Sequence, residues 1–280
     1  MFEIAFGSVR GRDHAQKNNQ DAYCVYQDSG VLVGIVSDGC SSGHASEAGA
    51  HLGASLLTRE LHSEIRDSCI QICAPRYVPK LLSERLGALK RNIINRFNVL
   101  GAGGSMSSFV NDYLLFTTVG VICTPGWSAF FSLGDGIVVI NGEIIRLGPF
   151  PENAPPYLAY GLVETSLQES DPELLEFNLI RVMSSSDLQS FLIGTDGVTD
   201  LMDVEERKIP GKEDVVGPLS QFWKEDRYFK NSDMVRRRLA MISSESVRID
   251  HDSEISRLKK EPGLLKDDTT LIVGRRRKGE

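Results

Sequence analysis

Three apolar segments of this 280-residue chain each run into the dipeptide Asp-Gly. They read VLVGIVSDG (31–39), FFSLGDG (130–136) and FLIGTDG (191–197). Apolar runs of this length, bounded by a turn signal, are typical of buried strands. The strand holds the Asp rigidly, while Gly permits close backbone approach. If these strand ends lie at one edge of a sheet, the fold gathers carboxylates into one place.

A single Asp-Gly is also a common turn dipeptide, so one copy alone predicts only a hairpin. Two further segments favour a site: Asp21 opens the strand-like DAYCVYQ, and Asp267-Asp268 precede TTLIVG. Clustered, buried carboxylates repel one another and are costly to ionise unless a cation neutralises them. Oxygen ligands without a Cys or a His pair suit hard divalent ions such as Mg²⁺ or Mn²⁺.

The order of elements indicates the class of fold. Alternating or continuous apolar runs predict strands at 2–9, 21–27, 31–37, 113–124, 127–134, 136–140, 143–147, 176–183, 190–196 and 269–274. Helical periodicity predicts helices at 46–65, 78–97, 214–223 and 233–242. Hairpin signals at 28–30 and 141–142 join neighbouring strands directly, which favours antiparallel sheets covered by helices in one domain, 1–280.

Composition excludes several classes of function. The net charge of −7 argues against nucleic-acid binding, which depends on neutralising phosphates. No apolar run approaches the roughly 20 residues that span a bilayer, and no signal peptide is recognisable. Five cysteines without a Cys-x-x-Cys pair predict reduced thiols in a cytoplasmic protein, with neither a zinc site nor a disulfide framework.

The motifs occur in a familiar order between residues 7 and 273. The series NQDAY, VSDGCSSGHASEAGA, FTTVGVI, FSLGDG, IGTDGVTD and DDTTLIV resembles the metal-dependent serine/threonine protein phosphatases of type 2C, and is most similar to their compact bacterial members. The resemblance implies a four-layer α-β-β-α sandwich, in which two antiparallel sheets face each other and helices flank them.

The resemblance also implies a binuclear Mn²⁺/Mg²⁺ centre at one edge of the sandwich. Its ligands would be Asp21, Asp38, the carbonyl of Gly39, Asp196 and Asp267. Asp267 is preferred to Asp268 because the family's ligand is the first residue of its pair. By the same resemblance, Asp135 and Asp200 fall where some members hold a weaker third ion.

The implied reaction is hydrolysis of phosphoserine or phosphothreonine in proteins by metal-activated water, with no protein nucleophile. His44 is the candidate acid that protonates the leaving group, although its spacing from Asp38-Gly39 is loose and a surface histidine is the alternative. The residue that contacts the phosphate is left open among Arg12, His14 and Lys17. Gln20 stands where many members have an acidic residue.

Residues 148–190 occupy the place of the family's variable flap, and its Pro155-Pro156-Tyr157 is either a substrate-facing surface or an ordered loop. A basic tail is expected at 274–280. The resemblance implies a phosphorylated protein substrate and a cognate bacterial serine/threonine kinase as partners. The alternative function is a catalytically silent signalling module that binds a phosphoprotein.

Overall fold

The computed structural model describes residues 2–151, 154–163, 171–250 and 257–277. Within these ranges the strands form two five-stranded antiparallel sheets and a separate two-stranded ribbon. No helix in this described part of the chain combines the length and the apolar character that crossing a membrane requires.

Each of the two large sheets combines hairpins with pairs of strands that are far apart in the sequence. The strands are β1 (Phe2–Val9), β2 (Asp21–Asp28), β3 (Val31–Asp38), β4 (Thr118–Cys123), β5 (Trp127–Leu133), β6 (Gly136–Ile140), β7 (Glu143–Leu147), β8 (Asn178–Ser184), β9 (Ser190–Gly194), β10 (Ser246–Asp250), β11 (Arg257–Glu261) and β12 (Thr269–Arg276). Sheet I has the order β1-β12-β9-β6-β7, and sheet II has the order β2-β3-β4-β5-β8. β10 pairs only with β11.

Two long helices and several short ones complete the structure. The helices are α1 (Ser46–Arg66), α2 (Val78–Leu100), α3 (Met106–Phe109), α4 (Val198–Asp203), α5 (Gln221–Lys224), α6 (Arg227–Lys230) and α7 (Met234–Ser243). A π-helical turn, Val110–Leu114, follows α3. The predicted helices at 46–65 and 78–97 are therefore confirmed, each with a slightly later end.

The layers follow from three apolar cores. One core joins α1 and α2 to the outer face of sheet II, with Leu57 of α1 and Ile35 of β3 both fully buried. A second joins the C-terminal helices to the outer face of sheet I, where Leu239 of α7 is buried. A third lies between the sheets and includes Val36 and Ile272. Sheets I and II are covered on both faces, so their central strands are buried along most of their length, and the predicted four-layer sandwich is confirmed.

Two hairpin turns have the backbone that their sequences predict. Ser29 and Gly30 both have positive φ (52° and 83°), as do Asn141 and Gly142 (53° and 91°). Positive φ at both central residues defines the type I′ turn, whose twist matches that of the flanking strands. These turns fix the registers of β2 with β3 and of β6 with β7.

The predicted helix at 214–223 is wrong over most of its length. Only α5 is helical there, because Gly217 has a positive φ of 78° and Pro218 has no N–H to donate. Before it, Lys208 and Val215 form an isolated antiparallel bridge. The apolar spacing around Val216 and Leu219 is real, since both are buried, but it belongs to an irregular segment.

Three other features of the structure differ from the sequence-based predictions. The strand predicted from residue 113 begins at Thr118, because Tyr113 and Leu114 lie in the π-helical turn. The β10–β11 ribbon was missed, as its strands are short and mostly polar. The expected tail at 274–280 is part of β12 as far as Arg276, where Arg275 pairs with Glu3 at 2.9 Å. Residues 278–280 lie outside the described residues.

The expected flap at 148–190 is only partly described, since 152–153 and 164–170 lie outside the described residues. Its described part contains 3₁₀ turns at Leu158–Leu162 and Pro172–Leu175, followed by β8. The strands predicted at 176–183 and 190–196 correspond to β8 and β9.

We expect Gly49→Ala to lower the free energy of unfolding by about 1–3 kcal/mol through overpacking. A Cβ on Gly49 of α1 would lie 2.0 Å from the backbone oxygen of Tyr113, which cannot move without shifting the following turn. Gly87→Ala in α2 is the matched control. Its Cβ would meet only side-chain atoms, the nearer at 3.5 Å, so helix propensity should make it neutral or slightly stabilising. Urea unfolding of both variants tests this, and equal effects would contradict it.

Candidate metal centre

The predicted ligands lie at strand ends that meet at one edge of the two sheets. Asp21 is the first residue of β2 and Asp38 is the last of β3, and the two are direct partners in the antiparallel register. Asp135 lies in the tight connection from β5 to β6. Asp196 follows β9, and Asp267 lies just before β12. The fold therefore brings together residues that are up to 246 positions apart in the chain, from Asp21 to Asp267.

A cavity of about 110 Å³ opens at this edge. It is lined by His14, Asp38, Gly39, Cys40, Ser41, Thr117, Asp135, Pro155, Tyr157, Asp196 and Asp267. Two larger cavities, of about 460 and 710 Å³, contain none of the predicted ligands. Four predicted aspartates therefore share one small polar cavity, as the strand-end argument expected.

Asp21 lies behind this cavity and is 2% exposed. Thr195 donates its hydroxyl hydrogen bond to Asp21 Oδ2 at 2.8 Å, and the backbone N–H of Thr270 in turn donates to Thr195 Oγ1 at 3.1 Å. The other oxygen, Asp21 Oδ1, is buried and has no hydrogen-bond partner among the described residues. Asp21 is thus held from one side, with its second oxygen available.

The electrostatics of the cluster are unfavourable without a cation. Burial raises the pKa of Asp38 well above its usual range, and the nearby carboxylates of Asp21 and Asp196 raise it further. Burial, with Asp267 and Asp135 as neighbours, raises the pKa of Asp196 to about 6. The pKa values of Asp135 and Asp267 are also raised, chiefly by burial. The causes that raise these pKa values, burial and neighbouring carboxylates, disfavour the negatively charged form of each aspartate. A bound cation would offset both effects.

The donor set fits hard divalent cations. Asp21 Oδ1 and Asp196 Oδ1 are both buried and unpartnered, and an unpartnered buried carboxylate oxygen is costly. All the predicted ligand atoms are oxygens, which Mg²⁺ and Mn²⁺ prefer. The free cysteine Cys40 also lines the cavity, but the carboxylates dominate its chemistry.

The two adjacent aspartates 267 and 268 have different environments. Asp268 is 2% exposed, and its oxygens accept backbone hydrogen bonds from Gly11 at 2.8 Å and Gln20 at 2.6 Å. Asp267 faces the cavity. Asp268 therefore ties the loop before β2 to the loop before β12, and its own N–H donates to Asp267 Oδ1 at 2.7 Å. Sequence reasoning missed this anchoring role of Asp268. The only signal for it in the sequence was the pair of adjacent aspartates.

Asp135 and Asp200, the two candidates for a third ion, have different environments in the structure. Asp135 lines the cavity. Asp200 does not line it, and its Oδ2 accepts backbone hydrogen bonds from Lys266 at 2.6 Å and Asp267 at 3.1 Å. Asp200 thus shapes the loop that presents Asp267.

Comparison with known protein families identifies the family of this chain. A family model described as Protein phosphatase 2C matches residues 10–237, which is most of the chain. The chain belongs to the protein phosphatase 2C family. It is a protein phosphatase of that family. Comparison with curated protein sequences gives no significant match.

Solved phosphatase structures share the fold of this phosphatase. The serine/threonine phosphatase Stp1 from Staphylococcus aureus is 14% identical with a TM-score of 0.54, over 99% of this chain and 96% of that one. A serine/threonine phosphatase of S. agalactiae is 15% identical with a TM-score of 0.50, over 98% and 99%. The catalytic domain of PstP, in complex with two manganese ions, is 13% identical with a TM-score of 0.50, over 98% and 97%. At these identities the likeness concerns the fold alone.

The phosphatase places its three candidate phosphate contacts differently. His14 lines the cavity, with Nδ1 3.1 Å from Asp268 Oδ2 and 3.4 Å from Asp267 Oδ1, but neither contact has the alignment of a hydrogen bond. Arg12 is turned to the carbonyl of Gly263, to which Nη1 donates at 2.9 Å. Neither Arg12 nor Lys17 lines the cavity.

Lys17 contacts a residue that lines the cavity. Its Nζ donates to the carbonyl of Ser41 at 2.5 Å, and Ser41 is a lining residue. The Lys17 side chain is otherwise exposed. Of the three candidates, His14 is therefore the one that the fold presents directly to a group inside the cavity.

His44, the candidate general acid, is exposed and does not line the cavity. The loop after Gly39 closes a turn in which the N–H of Gly43 donates to the carbonyl of Cys40 at 3.0 Å. This turn brings Cys40 and Ser41, rather than His44, to the cavity.

Sequence reasoning overlooked Thr117 and Cys40 as lining residues of the phosphatase, whereas it had named Pro155 and Tyr157. Thr117 directly precedes β4, and Cys40 follows Gly39. Pro155 and Tyr157 come from the expected flap, which agrees with the substrate-facing alternative for that segment. Burial raises the pKa of Tyr157, so its hydroxyl keeps its proton.

We expect the metal-free phosphatase to lose stability as pH rises from about 4 to about 6. The pKa of Asp196 is near 3.8 in the unfolded chain and about 6 in the folded one. In this window the folded protein therefore holds a proton that the unfolded chain has released, and stability falls as pH rises. Asp196→Asn removes this contribution, which is on the order of 1–3 kcal/mol.

Denaturant unfolding in EDTA between pH 4 and 7 measures this effect. The stability of Asp196→Asn relative to the unmodified protein should grow with pH across the window. Parallel profiles for the two proteins would show that the raised pKa of Asp196 is absent.

Proposed function

We propose that this phosphatase hydrolyses phosphoserine and phosphothreonine esters in proteins with the help of two Mn²⁺ or Mg²⁺ ions. The observation that carries the proposal is the convergence of Asp38, Asp135, Asp196 and Asp267 on one cavity. Their raised pKa values and the unpartnered oxygens behind them favour cation binding. That the PstP catalytic domain holds two manganese ions supports the number and type of ion.

The ions would be held by Asp38, the carbonyl of Gly39, Asp196 and Asp267, with Asp21 supporting them from behind. When bound, such ions supply Lewis acidity and a water of lowered pKa. Asp38, whose pKa the carboxylates of Asp21 and Asp196 both raise, would be the ligand shared by the two ions, as the family resemblance implies. Asp135 is the better placed of the two candidates for a third ion.

His14 is the residue best placed to orient the phosphoryl group. It is the only histidine among the described residues that line the cavity, and its buried Nδ1 has no hydrogen bond. A protonated His14 would be held beside Asp267 and Asp268 and could donate to a phosphate oxygen or to the leaving oxygen. The acid role of His44 stays a prediction without support from its position.

The size of the cavity favours a macromolecular substrate. At about 110 Å³ it is far smaller than the roughly 300–1,000 Å³ of pockets that enclose small-molecule ligands. A phosphoryl group can enter, while the rest of the substrate lies on the surface outside. The cognate kinase and the cytoplasmic location stay predictions from the sequence.

A catalytically silent, phosphoprotein-binding module is the second candidate. Gln20 favours it, because its side chain removes a negative charge beside Asp21 and its Nε2 donates to Ser46 Oγ at 2.8 Å. Its Oε1, however, is buried without a partner, so the position keeps one oxygen available. Turnover distinguishes the two candidates.

We expect Mn²⁺-dependent hydrolysis of an aryl phosphate and of phosphothreonine peptides, abolished by EDTA. Asp38→Asn and Asp267→Asn should each lower kcat/KM at least about 100-fold, because each removes a ligand. Asp67→Asn, at an exposed carboxylate after α1, is the control and should leave kcat/KM unchanged. Isothermal titration with Mn²⁺ should show weakened binding in both ligand variants. Metal binding by the unmodified protein without any turnover would favour the silent module.

We expect His14→Ala to lower kcat/KM by about 10–100-fold and Arg12→Ala to lower it less than threefold. The reason is that His14 lines the cavity, whereas the Arg12 guanidinium donates a hydrogen bond to the carbonyl of Gly263. Inhibition by inorganic phosphate gives a second measurement, in which His14→Ala should raise the inhibition constant. A larger loss in Arg12→Ala would reverse the assignment.

A further inference from the structure

A second cavity, of about 710 Å³, lies beside the metal centre between the outer strands β7 and β8. We call it the edge groove. It is lined by Ser132, Leu133, Gly134, Ile145, Arg146, Leu147, Gly148, Phe150, Pro156, Asp171, Glu173, Leu174, Glu176, Phe177, Asn178, Leu179 and Ile180. None of the roles assigned above uses it.

The edge groove and the catalytic cavity share walls. Gly134 lines the groove while its neighbour Asp135 lines the cavity, and Pro156 lines the groove between the cavity residues Pro155 and Tyr157. A Cβ on Gly148 would lie only 3.3 Å from Asp135 Cβ. A polypeptide with a phosphorylated residue in the cavity therefore has the groove as its neighbouring surface.

The strands that flank the groove end their sheets. Among the described strands, β7 pairs only with β6 and β8 pairs only with β5. Strands at a sheet edge have backbone N–H and C=O groups that an extended peptide can use. Residues 145–148 along one wall span about 10–13 Å at 3.3 Å per residue, which matches three to four residues of extended chain.

The lining is both apolar and acidic. Its half-buried apolar residues are Ile145, Leu147, Phe150, Phe177, Leu179 and Ile180. Its carboxylates are Asp171, Glu173 and Glu176, against one lining cation, Arg146. Glu176 is already paired with Lys90 at 2.8 Å. Asp171 and Glu173 are exposed, and neither forms an ion pair with a described residue.

We propose that the edge groove binds the three or four residues that flank the phosphorylated residue, and that it selects segments with apolar and basic side chains. This inference rests on the proposed function and adds a substrate class to it. Apolar side chains would cover the half-buried lining, and Lys or Arg would pair with Asp171 and Glu173. An acidic flanking segment would instead meet like charge.

Two matched phosphothreonine peptides test the proposal. Both carry the same apolar residues within four positions of the phosphothreonine, and they differ only in two Lys or two Glu at the remaining positions. The kcat/KM of each peptide, divided by that of an aryl phosphate, isolates the contribution of the flanking residues. We expect the unmodified phosphatase to prefer the Lys peptide at least about tenfold.

Charge reversal locates the preference. The double variant Asp171→Lys, Glu173→Lys should lose the preference for the Lys peptide or reverse it. The double variant Glu205→Lys, Glu206→Lys makes the same change of charge at exposed positions outside the groove, and it should retain the preference. Far-ultraviolet circular dichroism and thermal unfolding verify that both variants fold.

The outcomes are distinct. Equal turnover of the two peptides by the unmodified protein, or equal loss of preference in both double variants, overturns the edge-groove proposal while hydrolysis itself stands. Absence of any Mn²⁺-dependent turnover, of aryl phosphate and peptides alike, overturns the proposed function instead. In that case fluorescence anisotropy of the same labelled peptides still tests the groove, since binding of the Lys peptide should weaken only in the Asp171/Glu173 variant.

Discussion

Electrostatic repulsion among buried carboxylates is the constraint on which the rest of this structure depends. Asp38 and Asp196 are held at the ends of rigid strands, where burial and neighbouring carboxylates raise their pKa values. Such a cluster costs free energy in the folded protein and persists only if the surrounding structure holds it together. The sandwich does so through apolar cores on both sides of each sheet. Stability built into these cores thus offsets an arrangement that is useful only with cations.

The residues behind the cluster are as informative as those that line it. Thr195 fixes one oxygen of Asp21, and Asp268 ties two loops together through the N–H groups of Gly11 and Gln20. Asp200 shapes the loop that carries Asp267. These groups define the directions in which the cavity carboxylates point, and such outer contacts tune metal sites strongly. The proposed specificity has a different physical basis, because a cavity of about 110 Å³ admits only a small group and leaves the rest of a protein substrate on the surface beside it.

Much of the fold was readable from the sequence. The hairpins at 28–30 and 141–142, the strands that they join, and helices α1 and α2 all follow from local periodicity and turn chemistry. The failures share a cause. The helix predicted at 214–223 has apolar spacing, but Gly217 and Pro218 impose a different backbone, and Val216 is buried from an irregular segment. Short polar strands such as β10 carry little apolar signal.

The sequence by itself determined that carboxylates stand at the ends of buried strands, because strand-forming residues and Asp-Gly turns are local properties. It could not choose among Arg12, His14 and Lys17 as the phosphate contact, or decide whether His44, Asp135 and Asp200 reach the site, because these outcomes depend on where loops fold back in space. Only the tertiary structure shows that His14 lines the cavity and that His44 is exposed. It also shows that the Asp200 carboxylate accepts a hydrogen bond from a backbone N–H. The edge groove likewise depends on tertiary structure, because its lining combines residues of β7 and β8, which are edge strands of two different sheets.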